Sequence, residues 1–232
     1  MKDLKKSFKA LLLILFLGIA APAALSQTHY KPIICVGGKI GADISYVMFN
    51  PAVKQNWPVN PTLGARIRYV EENHFGLVGE LNYVRRGWAE NFEGLPFHYH
   101  RNIDYIDIPI LAHIYFGKRS KFFVNLGPEI SFKLASSISS NFNPEEIASI
   151  PDFPLRNRRN EQLTEKVSQK VDFGISAGIG VEHFITPQHG VDFEARYYFG
   201  LGNILPSSHQ DNFRASNMMT IAFTLGYWFR MK

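Results

Sequence analysis

The sequence predicts an all-β fold: an eight-stranded antiparallel up-and-down transmembrane β-barrel with short periplasmic turns and long extracellular loops. Three observations predict it. Apolar residues recur at every second position over long runs. The connections between those runs alternate long and short. One face of each run is apolar, while the other carries charges of both signs.

Residues 1–26 read as an export signal. Lys2, Lys5, Lys6 and Lys9 precede an unbroken apolar run, ALLLILFLGIAA, and small residues follow up to Ser26. That order of basic, apolar and small residues marks a secretory signal peptide, with cleavage expected before Gln27. The apolar run is shorter than the roughly 20 residues a helical span requires. Taking four lysines and Asp3 from 25 basic and 20 acidic residues leaves 21 and 19, a net charge of +2 for residues 27–232. So near-neutral a chain offers no footprint for nucleic acid. One cysteine, Cys35, excludes an internal disulfide framework.

Eight strands follow. Residues 38–48 set Ile40, Ala42, Ile44 and Tyr46 against Gly41, Asp43 and Ser45. Residues 63–70 set Leu63, Ala65, Ile67 and Tyr69 against Gly64, Arg66 and Arg68. Residues 75–88 oppose Leu77, Gly79, Leu81 and Tyr83 to Glu80, Asn82, Val84 and Arg86. Residues 103–116 oppose Ile106, Ile108, Ile110, Ala112 and Ile114 to Asp107, Leu111 and His113. Residues 122–134 alternate Val124, Leu126, Ile130 and Phe132 with Asn125, Glu129, Ser131 and Lys133. The runs VDFGISAGIGVEHF, VDFEARYYFGL and MTIAFTLGYWF complete the set, at residues 171–184, 191–201 and 219–229. Such runs exceed the usual soluble strand of about 5–6 residues. They match the roughly 9–11 residues of a tilted membrane strand.

The connections decide between a sandwich and a membrane barrel. Residues 47–61, 89–101, 135–170 and 202–215 are long, while 72–74, 117–121 and 186–190 are short. A barrel with both termini in the periplasm requires that asymmetry. Charges on the second face would be unacceptable in a sandwich core. Aromatic residues are expected to ring the apolar band: Tyr46, Tyr83 and Trp88 towards the loops, and Phe116, Phe122, Tyr227, Trp228 and Phe229 towards the turns.

The segment Tyr105-Ile106-Asp107-Ile108-Pro109, with Gly127-Pro128-Glu129 on the next strand, resembles the PorT-like outer-membrane β-barrel family. Gly79-Glu80-Leu81-Asn82-Tyr83 with Arg86-Gly87 shares that likeness. The resemblance implies a bacterial outer-membrane location and a link to a dedicated protein-secretion system.

Eight strands leave an interior that side chains fill. Inward parity assigns Asp43, Arg66, Arg68, Glu80, Arg86, Asp107, His113, Glu129, Lys133, Asp172, Glu182, Asp192, Glu194 and Arg196 to that interior. Both signs are present, so pairing into a polar plug without a sizeable pore is expected. The competing reading of this network is a narrow ion path. His98 and His100 are spaced for one metal but lack acidic or cysteine partners nearby, and a loop rich in aromatics explains them equally well. His113 beside Asp107 suggests a pair serving Ser131, with membership of the plug as the simpler account. Gly174, Gly178 and Gly180 sit at period two within a strand, where they relieve inward crowding rather than cradle phosphate.

The longest connection offers the remaining candidates. Asn143-Pro144-Glu145-Glu146 begins like a capped helix, and residues 160–170 suit a second one. Between them Phe153, Arg156, Arg158 and Arg159 form a basic and apolar segment suited to lipopolysaccharide phosphates or an acidic partner. The reading is therefore a non-enzymatic envelope interaction or scaffold protein, contacting outer-membrane lipid and envelope or secretion-complex proteins, with no cofactor. The rivals are a lipid-modifying outer-membrane enzyme and a narrow channel.

Overall fold

The structure is a computed structural model that describes residues 32–155, 158–207 and 212–231. The expected signal segment, residues 1–26, lies outside the described residues. Among the described residues nine strands run in chain order: β1 (Ile33–Asn50), β2 (Gln55–Asn56), β3 (Val59–Glu72), β4 (Phe75–Glu90), β5 (Tyr99–Gly117), β6 (Ser120–Ser140), β7 (Val171–Phe184), β8 (His189–Asn203) and β9 (Ala215–Arg230). β2 is a two-residue ribbon on the end of β4 within the first long connection. The other eight strands each pair antiparallel with the next. β1 pairs with β9, and the ring has no open edge.

Closure explains why so apolar an outer surface is tolerated. Ile40, Leu63, Ile67, Leu81, Ile110, Leu126, Ile179 and Leu225 are all exposed, and between them lie buried Arg66, Glu80, Asn125 and Glu194. Only a solvent as apolar as lipid makes that inversion favourable, and a closed barrel satisfies its backbone within the ring. The strands outrun their expected limits. β5 and β6 extend to Tyr99 and Ser140, where the run Ser136-Ser137-Ile138-Ser139-Ser140 carries no alternation. The connections keep their long–short order even so, with Asn73–His74 and Lys118–Arg119 as two-residue turns. At the second, Gly117 has φ +113, and a Cβ there would collide with the Ser120 carbonyl.

Three expectations are corrected. Trp88 and Trp228 do not ring the membrane band. Both are buried inside, as their parity with Arg86 and Gly226 requires. Tyr69, Phe75, Phe116, Phe122, Tyr227 and Phe229 hold the outer positions at the turn end. The segment after Asn143 forms no α-helix. Its Oδ1 accepts from the Glu145 amide, and a single 3₁₀ turn follows at Ile147–Ser149. The second expected helix shrinks to one turn, α1 (Glu161–Thr164).

Candidate functional site: the filled lumen and its capped mouth

Inward side chains stack in layers from the turn end to the loop end. Near the turns, Arg68 donates to Glu182 at 2.6 Å, and His113 lies between Arg68 (3.3 Å) and Asn125 (2.8 Å). Arg66 makes a two-pronged pair with Asp192. The guanidinium carbons of Arg66 and Arg68 lie 3.9 and 4.5 Å from the Trp228 ring centroid, so one indole faces both cations.

The middle layer centres on Glu80. It accepts Lys39 Nζ at 2.6 Å and both terminal nitrogens of Arg196, at 2.6 and 2.8 Å. Arg196 also reaches Glu194, which takes the Asn125 amide at 2.9 Å. Above it, Arg86 joins Asp107 and Glu129, lies 4.1 Å over the Tyr198 ring, and donates to Ser131 at 3.3 Å. Ser176 donates to Glu129, and the Tyr198 hydroxyl donates to Asp172 at 3.0 Å. Beside Asp43, whose Oδ2 has no protein partner, is a cavity of about 30 Å³. That is room on the scale of a few water molecules, far short of a pore.

The His113–Asp107 pair, the less simple of the two readings of His113, does not form. The two residues lie six positions apart on β5, roughly 20 Å along a strand, and Ser131 belongs to the Arg86 layer. His98 and His100 are both exposed, with buried Tyr99 between them. Among the described residues no three His, Cys, Asp or Glu side chains converge as a metal site would require.

The mouth is closed by the longest connection, a feature the sequence reading did not contain. Phe153, Leu163 and Val167 turn into the barrel and join Phe49, Trp88, Tyr99, Tyr105, Phe213 and Met218 in one apolar cluster. The Phe153 ring lies 4.9 Å from Phe97 and 5.0 Å from Phe142. Polar latches tie the backbone of this cap to the wall. The Tyr99 hydroxyl donates to the Leu163 carbonyl at 2.9 Å, Arg101 to that of Glu165, and Lys133 to that of Val167. Buried Glu90 is the anchor: Trp88 (3.1 Å) and Gln162 (3.0 Å) donate to one oxygen, and Arg158 pairs with the other.

Two of the four residues expected on an outward basic face are therefore committed inside. Phe153 is 7% exposed, and Arg158 is held by Glu90 and stacked 4.0 Å over Phe92. Arg159 stays outside beside Glu161, at 3.9 Å. Arg156 lies outside the described residues. The outer surface keeps a groove of about 740 Å³ bordered by Lys54, Phe92, Leu95, Pro154, Arg158 and Arg159. The signal of the cap in the sequence was the scatter of Phe142, Ile147, Ile150, Phe153, Leu163 and Val167 along a connection rich in polar residues.

The family described as "Outer membrane protein beta-barrel domain" matches residues 26–205. Among solved structures, the outer membrane protein OprG from Pseudomonas aeruginosa is similar at a TM-score of 0.53 and 11% identity, covering 86% of this chain and 95% of that one. Neisserial surface protein A aligns at a TM-score of 0.48 and 12% identity, covering 85% and 97%. At such identities the likeness to OprG speaks for the fold alone. No curated protein is matched by the sequence.

Proposed function

This chain belongs to the outer membrane protein β-barrel domain family, and on that premise we propose that it is a closed, non-enzymatic barrel of the bacterial outer membrane that serves as an interaction or scaffold component of the envelope. One observation carries the reading: layers of paired charges fill the lumen beneath an apolar cluster, and the long connection caps its mouth. A filled and capped barrel offers partners its outer surface rather than its interior. The groove beside the cap supplies apolar contact through exposed Leu95, and its cations Lys54 and Arg159 each stand beside a carboxylate of the same groove, Glu93 and Glu161. A partly apolar segment of another envelope protein, whose carboxylates exchange with Glu93 and Glu161 at these exposed pairs, fits that combination. The PorT-like motifs support seeking that partner among secretion components. Lipopolysaccharide phosphates are the alternative ligand for the same cations.

Affinity capture from mildly solubilised envelopes tests the proposal. The wild-type chain is expected to retain a defined protein that the double variant Leu95→Asp with Arg159→Glu loses. Identical capture by both proteins overturns the role of the groove. In planar bilayers the purified barrel is expected to pass no discrete current, and regular conductance steps overturn the closed reading. Conversion of labelled lipopolysaccharide by the purified chain overturns the non-enzymatic one.

A further inference from the structure

The turn end carries a second charged feature. Lys118 and Arg119 form the turn between β5 and β6, Arg230 ends β9, and the segment from Phe184 to Pro187 lies between them. Together they enclose a cleft of about 420 Å³ lined, among the described residues, by three cations and no carboxylate. Arg119 is fixed in place, because its Nε and one terminal nitrogen donate to the Phe184 and Ile185 carbonyls, each at 3.2 Å. Arg230 lies with its guanidinium carbon 4.4 Å from the Phe184 ring centroid, and its buried Nε has no hydrogen-bond partner. Three cations held together without an anion repel one another, so the arrangement favours an anionic ligand.

Height selects the kind of anion. Phe116 and Phe122 flank the Lys118–Arg119 turn, and Tyr227 and Phe229 precede Arg230; all four are exposed on the outer face. Aromatic residues of that kind sit at the boundary between acyl chains and headgroups. The cleft lies just beyond them, at headgroup level. Exposed Ile185 gives it an apolar edge that a soluble anion would not use. The opposite side of the rim is acidic, with Glu71 and Glu72 exposed at the end of β3. The positive charge is thus local to one cleft rather than spread around the barrel.

We propose that this cleft binds the phosphate of an anionic glycerophospholipid in the leaflet at the turn end. Its acyl chains then lie along the apolar strand faces beside Phe122 and Ile185. The site is independent of the outer groove and of the partner proposed for it.

Native mass spectrometry of the full chain, folded in detergent and offered equal amounts of phosphatidylglycerol and phosphatidylcholine, tests this. Wild type is expected to keep phosphatidylglycerol preferentially. Lys118→Gln and Arg119→Gln are each expected to lower that retention about fivefold, the effect of one cation beside an anionic lipid surface. Lys118→Gln removes no backbone hydrogen bond, and a shift in gel migration between boiled and unboiled samples confirms that each variant folds. Arg85→Gln, at the other end of the barrel, is expected to change nothing. Equal retention of the two lipids overturns the proposal, as does an Arg85→Gln effect matching that of Lys118→Gln. Displacement of the lipid by inorganic phosphate at the same concentration overturns the lipid assignment in favour of a soluble anion.

Discussion

Arg158 closes on the Glu90 carboxylate from 68 positions further along the chain, and this pair fastens the long connection to the end of β4. Glu90 also receives Trp88 and Gln162, so it gathers one donor from the wall and two from the cap. Arg158→Ala leaves that carboxylate buried with neutral donors alone. Truncating one partner of a buried charge pair costs about 2–5 kcal/mol, and here the loss falls on docking of the cap. Hydrogen exchange at the Leu163 amide, bonded to the Asn160 carbonyl at 3.1 Å, is expected to quicken while amides of β7 and β8 stay protected. Unchanged exchange at Leu163 would show that the Phe153 cluster holds the cap without the latch.

The same carboxylate sets a pH dependence. Glu90 ends β4, above the apolar band, and burial pushes its carboxyl above the ordinary value of 4.5, with Gln162, Arg158 and Trp88 opposing the shift. A docked state that binds the proton more tightly than the undocked one gains stability as pH falls. Docking is therefore expected to strengthen from neutral pH downward through the raised value. The gain is complete below 4.5. Leu163 exchange, corrected for its intrinsic pH dependence, follows this directly, and Glu90→Gln is expected to flatten the slope. Loosening of the wild-type cap on acidification would mean that the Arg158 charge outweighs burial.

Glu80 is the most heavily used carboxylate of the lumen, with Lys39, Arg196 and Asn82 all donating to it. Glu80→Ala leaves Lys39 without its ion pair and Arg196 with Glu194 alone. Removing one member of a buried ion pair costs about 3–5 kcal/mol. The unfolding free energy read from urea titration is expected to fall by that amount, as a lower midpoint at an unchanged slope. A loss within about 1 kcal/mol, the worth of a surface pair, would show that water reaches this layer.

The strands were legible because lipid and lumen impose opposite polarities on alternate residues. Parity alone placed Arg66, Glu80, Arg196 and their companions inside. Parity says nothing of height, which is why His113 and Asp107 looked like neighbours while lying in different layers. It also contained the inward positions of Trp88 and Trp228, which the expectation of an aromatic girdle overrode. The cap was invisible for another reason. Phe153, Leu163 and Val167 follow no period, and their burial rests on contacts with β4, β5 and β9 that no local pattern encodes. The reach of β5 and β6 beyond the membrane was hidden likewise, since a strand free of lipid has no cause to alternate.

Gly226 supplies the last prediction. It faces Asp192 across the β8–β9 ladder, and a Cβ built on it would overlap Arg66 Nη2 and Asp192 Oδ1. A long side chain often swings aside from such an intrusion, but Arg66 is held by Asp192 on one side and by the Trp228 ring on the other. Gly226→Ala must therefore either part the ion pair or bend the strand, and overpacking of this kind costs about 1–3 kcal/mol. Gly79 is the comparison. A Cβ there meets only Ile67 Cγ2 at 3.7 Å, an ordinary contact on the outer face, so Gly79→Ala is expected to stay within about 0.5 kcal/mol of wild type. Urea unfolding of the two variants separates the effect of crowding the ion pair from that of replacing a strand glycine. Equal losses would mean that strand conformation, rather than space for the Arg66 guanidinium, explains the glycine at 226.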